Sequence, residues 1–98
     1  MPPKISVIIP CFNQAEFLDD CVNSVLGQTT HDFEIIVVDD GSTAEASKKI
    51  LDNFSREKTT LIRQKNMGLP RARNTGIKHA KGKYILPLDC DDKISSDV

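Results

Sequence analysis

The stretch Tyr84-Ile85-Leu86-Pro87-Leu88-Asp89-Cys90-Asp91-Asp92 decides how the rest of the chain reads. An apolar run of strand length stops in three carboxylates within four residues. Like charges that close repel, and a cation or several hydrogen-bond donors must relieve the cost. Side chains alternate along an extended segment, so the expectation is that Asp89 and Asp91 share one face while Cys90 takes the other. Two carboxylates at the carboxyl end of a buried strand form a claw for a hard cation, Mg2+ or Mn2+, completed by substrate phosphates. The alternative is an acidic loop that opens a helix, with Asp91 or Asp92 as its N-cap.

Three other apolar runs precede this one. Residues 4–10 (Lys-Ile-Ser-Val-Ile-Ile-Pro) are β-branched and stopped by proline, and residues 33–39 are almost wholly apolar, as strands covered on both faces are. Residues 59–64 are shorter and flanked by charge, the mark of a sheet edge. With 83–88 they make four strands.

Between the first two strands, Phe17, Leu18, Cys21, Val22, Val25 and Leu26 recur at helical spacing behind Asn13 or Gln14, and Gly27 stops the run. Asp39-Asp40-Gly41-Ser42-Thr43 predicts a tight turn, with Ser42 or Thr43 capping a helix through Ile50, Leu51 and Phe54. A third helix opens at Pro70, runs to about Ala80 and is broken by Gly82. Alternation with crossovers of this length predicts an α/β fold: a Rossmann-like three-layer α/β/α sandwich with a mostly parallel sheet. Ligands of such sheets bind beyond the carboxyl ends of the strands, where Pro10-Cys11-Phe12-Asn13, Asp39-Asp40-Gly41-Ser42 and the acid stretch all fall.

Ninety-eight residues suffice for one domain with a modest core. A net charge of −1 exerts no global pull on nucleic acid or an anionic membrane. The cations crowd residues 56–83 without the interleaved aromatics of a single-strand binder, so no nucleic-acid partner is expected. Cys11, Cys21 and Cys90 show no metal spacing and no CxxC pair; they read as small buried hydrophobes of a reduced, cytoplasmic chain. His31 and His79 read as surface residues. No signal-peptide pattern and no run of membrane-span length is present.

Five segments together resemble the family 2 glycosyltransferases: 6–13 (SVIIPCFN), 24–29 (SVLGQT), 34–43 (EIIVVDDGST), 66–77 (NMGLPRARNTGI) and 82–92 (GKYILPLDCDD). The resemblance spans nearly the whole chain, in family order. It implies a partial GT-A fold in which residues 1–98 supply the nucleotide-diphosphate-sugar-binding part. The implied partner is a UDP-sugar and the implied cofactor Mn2+ or Mg2+. Asp39 and Asp40 match the family's acidic nucleotide-loop pair, in which a carboxylate accepts from the uracil N–H and helps hold the ribose. The backbone near Pro10, Phe12 and Asn13 closes over the base. Asp89 and Asp91 match its Asp-x-Asp motif, with Asp91 the direct metal ligand, Asp89 nearer the ribose and Asp92 a further ligand. Of Arg71 and Arg73, which border the family's donor site, Arg73 is the one expected to face inward toward diphosphate. Asn74 and Gly76 are expected to serve packing.

By the same resemblance, the catalytic base and acceptor site lie beyond Val98, so the chain alone is expected to be inactive. The parent would transfer a hexosyl-type sugar to an acceptor hydroxyl, at the cytoplasmic face of a membrane by analogy. A reading of a different class is a non-catalytic nucleotide-binding or interaction module that keeps the half-fold. The outer edge of the 84–88 strand lacks a partner in this reading, which predicts self-association through it or disorder of the final residues.

Overall fold

A computed structural model describes residues 2–28 and 32–92. Strands β1 (Ile5–Cys11), β2 (Phe33–Asp40), β3 (Thr59–Gln64) and β4 (Tyr84–Pro87) alternate with helices α1 (Leu18–Leu26), α2 (Glu45–Asp52) and α3 (Leu69–His79). A single 3-10 turn at Ala15–Phe17 leads into α1. The strands lie in the order β3-β2-β1-β4, and every pair is parallel. This is the expected α/β sandwich, with β3 at one edge and β4 at the other.

The pleat sorts the apolar residues onto two faces. Val7, Ile9, Cys11, Phe33, Ile35 and Val37 pack beneath Leu18, Cys21, Val22, Val25 of α1 and Leu51 of α2. Ile8, Ile36 and Val38 point the other way, onto Ala72 of α3. Each fully buried Ile, Val or Leu contributes about 1.5–3 kcal/mol from burial, so the two central strands dominate the stability of the fold. Helix α3 sits tight on its face because Gly76 has no side chain: a Cβ there would lie 2.6 Å from Ile8 Cγ2 and 3.3 Å from Val38 Cγ2. Asn74, grouped with Gly76 in the sequence reading, is instead exposed on the outer side of that helix.

Both crossovers β1–α1–β2 and β2–α2–β3 run outward on one face, whereas β3–α3–β4 returns across the other and sets β4 beside β1. The strand order therefore reverses between β1 and β4, and a crevice opens at their carboxyl ends.

Two local expectations need correction. Neither Ser42 nor Thr43 caps α2; its N-cap is Ala44, without a side-chain cap bond. Asp39 and Asp40 belong to β2 rather than to the loop after it, because they pair in register with Arg63 and Gln64 of β3. The readings made of His31 and of residues 93–98 lie outside the described residues.

Candidate functional site

At the crevice, β4 gives way to a tight turn. The N–H of Asp92 donates to the carbonyl of Asp89 at 2.9 Å, so residues 89–92 curl instead of staying extended. Curling changes the expected geometry. All three carboxylates of Asp89, Asp91 and Asp92 are exposed and converge, with one oxygen of each lying within 4.8 Å of the others. Cys90 alone points inward and is buried. Three hard oxygen donors this close are the ligand type that a cation such as Mg2+ or Mn2+ takes.

Arg73 of α3 faces the same place. With Pro87, Leu88, Asp89 and Asp92 it lines one concave pocket, which puts a guanidinium opposite two of the acids. Arg71 points elsewhere, into a shallow hollow with Met67, Asn74, Thr75 and Lys78. Cation and anion thus border one cavity, an arrangement suited to a ligand carrying both phosphate and a bound metal.

The pair at the end of β2 is divided by the pleat. Asp40, on the α3 side, is buried, and its carboxylate accepts N–H bonds from Met67 and Gly68, both at 2.9 Å, and from Gln64 Nε2 at 3.0 Å. That carboxylate anchors the amino end of α3, where the helix dipole favours negative charge. The Asp40 carboxylate thus serves as an anchor for α3, a role the sequence reading did not assign to it. Asp39 faces the other way. Its Oδ1 accepts from the N–H of Ser42 at 3.0 Å and its Oδ2 from Arg63 Nε at 3.3 Å. Arg63 is also bound to Asp52 at 2.5 Å, and these acids raise the guanidinium's pKa further above its usual value.

Asn13 also has a role the sequence reading did not assign to it. Its backbone is left-handed (φ 55°), and its Oδ1 accepts from the N–H of Thr43 at 2.8 Å and of Ala44 at 2.9 Å. Its own N–H donates to Ser42 Oγ at 3.0 Å, and its Nδ2 to Thr43 Oγ1 at 3.2 Å. These bonds satisfy the start of α2 from across the site, and they occupy the amide with the protein. Asn13 clasps the two loops together. Pro10 is buried inside β1, and Phe12 is half-buried just past its end.

The sequence reading missed what lies beneath the acid turn. Extending the β1–β4 register three residues past Ile8 and Pro87 brings Cys11 opposite Cys90, and their sulfurs are 3.2 Å apart. Cys21 Sγ donates to the Asp89 carbonyl at 3.6 Å. All three thiols of the chain therefore sit under the carboxylates. Burial first, then the charge of Asp92 and its neighbours, pushes the Cys21 thiol up to about 12. The Cys90 S–H bond to Cys11 raises Cys90 and lowers Cys11. The signal that would have found this cluster is strand order, since only β1–β4 adjacency makes residues 11 and 90 neighbours.

The chain is similar to known proteins along nearly its whole length. The family model "Glycosyl transferase family 2" matches residues 6–98. The glycosyltransferase EpsJ of Bacillus subtilis is 44% identical over 98 residues, which cover 98% of this chain and 28% of EpsJ. The crystal structure of S. aureus TarS 1–349 superposes with a TM-score of 0.80 at 30% identity, covering 95% of this chain and 29% of that one. The same protein in complex with UDP-GlcNAc gives 0.79 at 32% identity, over 95% and 28%. The chain thus spans under a third of the length of these relatives. With a family model that matches almost end to end, and a parallel sheet whose order reverses where the acids gather, the chain belongs to glycosyl transferase family 2.

Proposed function

We propose that this chain forms the donor- and metal-binding part of a glycosyltransferase that uses a nucleoside-diphosphate sugar, of which a UDP-sugar is the favoured class. The observation that carries the reading is the convergence of Asp89, Asp91 and Asp92 beside Arg73, at the point where strand order reverses. The relative TarS, solved with UDP-GlcNAc, supports the class of donor.

In this reading Asp91 ligates Mn2+ or Mg2+ directly, Asp92 is a further ligand and Asp89 lies nearer the ribose. Arg73 pairs with diphosphate oxygens across the pocket. Asp39 takes the contact to the base: its Oδ2 accepts from Arg63 Nε at 3.3 Å, a longer bond than the 2.9 and 3.0 Å bonds that engage Asp40. The backbone of Pro10 and Phe12 borders the base. The metal, when bound, neutralises charge on the departing diphosphate. Arg73 and the acid turn border the pocket in which the diphosphate of the donor would be held. An acceptor hydroxyl needs a base to take its proton.

Calorimetric titration with UDP, with and without Mn2+, tests this. Binding that requires Mn2+ is expected. Asp91→Asn should weaken Mn2+ binding by more than about tenfold, since even disturbing the surroundings of a metal ligand has that effect. UDP binding indifferent to Mn2+, or an Asp91→Asn variant with unchanged metal affinity, would contradict the reading.

A further inference from the structure

Cys11 and Cys90 are in a position that their separation in sequence conceals. Cys11 closes β1 and Cys90 sits at the centre of the acid turn, and Sγ–Sγ contact at 3.2 Å makes each the other's nearest thiol partner. Cys90 also lies 3.4 Å from the Gln14 carbonyl, which fixes its side chain toward β1. Cys21 is turned toward the Asp89 carbonyl instead.

We propose that Cys11 and Cys90 form a redox modification site, in which a peroxide converts the pair to an intramolecular disulfide joining the end of β1 to the Asp89–Asp92 turn. One thiol attacks a peroxide oxygen, giving a sulfenic acid and releasing water (hydrogen peroxide as oxidant). The second thiol then attacks that sulfur, forming the S–S bond and releasing a second water. The two sulfurs give up two electrons in total and the peroxide is reduced. Both thiols are buried, yet Cys90 is flanked by exposed residues in a surface turn. Local opening of that turn, the kind of motion that costs far less than global unfolding, admits a small oxidant.

The bond has a mechanical consequence. A disulfide holds its sulfurs at about 2.05 Å, closer than the thiol contact, so the bond ties the turn to the end of β1. Asp89 and Asp91 are its covalent neighbours, so a turn tied through Cys90 loses freedom to bring its carboxylates around a cation. Oxidation therefore detunes the cation site, a consequence that rests on the metal reading above; the cross-link itself does not.

The experiment treats the chain with hydrogen peroxide, maps its peptides by mass spectrometry and measures Mn2+ affinity before and after. The expected result is a Cys11–Cys90 cross-link within one chain, reversed by dithiothreitol, with Cys21 still titratable. Mn2+ binding should weaken about tenfold on oxidation and recover on reduction. Cys21→Ser should keep the cross-link, which guards against a Cys11→Ser variant that loses it merely by misfolding. A bond through Cys21, a bond between chains, or oxidation of single cysteines without a cross-link would overturn the site. A cross-link with unchanged Mn2+ affinity would overturn the coupling. A reduced chain that binds no Mn2+ would instead fail the metal reading, and the cross-link would then be judged on mass alone.

Discussion

The N–H of Gly68 donates to Asp40 Oδ2 at 2.9 Å, and this bond ties the end of β2 to the start of α3. Gly68 holds φ at +95°, a conformation that side-chain-bearing residues rarely adopt, so the backbone is shaped to present this donor. Asp40→Ala removes the acceptor of the Met67 and Gly68 N–H groups and of the Gln64 amide, three part-buried donors of which water can reach some, and lost hydrogen bonds to a charged group cost about 1.5–3 kcal/mol. The expected loss is about 1–3 kcal/mol in urea denaturation. Asp40→Asn keeps one acceptor oxygen and should lose less than Asp40→Ala. Equal stability of Asp40→Ala and the parent chain would show that the anchor carries no weight.

Gly76→Ala sets two effects against each other. Alanine is the better helix former by about 1 kcal/mol. Its methyl, however, would lie 2.6 Å from Ile8 Cγ2 and 3.3 Å from Val38 Cγ2, against the middle of the sheet. Overpacking of this kind costs about 1–3 kcal/mol, so packing should win and the variant should be less stable. A rise in the denaturation midpoint would mean that α3 can shift off the sheet freely.

The strands and their parallel order were legible because β-branched runs, breakers and crossover lengths all pointed one way. The acid cluster was legible as a cluster because its three carboxylates lie within four residues at the end of an apolar run. What single-residue patterns could not supply was direction. Asp39 and Asp40 are adjacent and identical in type, yet the pleat sends one toward Arg63 and the other under α3. Asn13 looked like a loop residue near a ligand, but its amide is spent on Thr43 and Ala44, a pairing between loops about thirty residues apart. Curling of residues 89–92 brought Asp92 into the cluster, which an extended geometry would have left aside.

Strand β4 stands at the sheet edge with Tyr84 52% exposed and Ile85 38% exposed. Among the described residues nothing pairs with its outer edge, and such an edge with apolar side chains offers backbone donors and acceptors to another strand. The chain is expected to self-associate through it as concentration rises, and Ile85→Lys should suppress this by placing charge on the edge. Sedimentation velocity over a concentration series checks the outcome. A monomer at every concentration would count against pairing.

Alkaline pH should expose the acid turn's effect on Cys21. In the unfolded chain its thiol ionises near the ordinary value of 9.0, whereas burial and the nearby acids hold it protonated in the fold to about 12. Below pH 9.0 both states keep the proton, and the contribution is constant. Between the two values the unfolded chain has released a proton that the folded chain retains, so stability must fall as pH rises. The slope is about 1.4 kcal/mol per pH unit for one such thiol. Cys21→Ala removes this component while other titrating groups remain in both chains. Urea midpoints measured for the pair from pH 8 to 11 should therefore diverge in slope, with the parent chain falling more steeply. Parallel curves would mean that the thiol ionises in the fold as readily as in water.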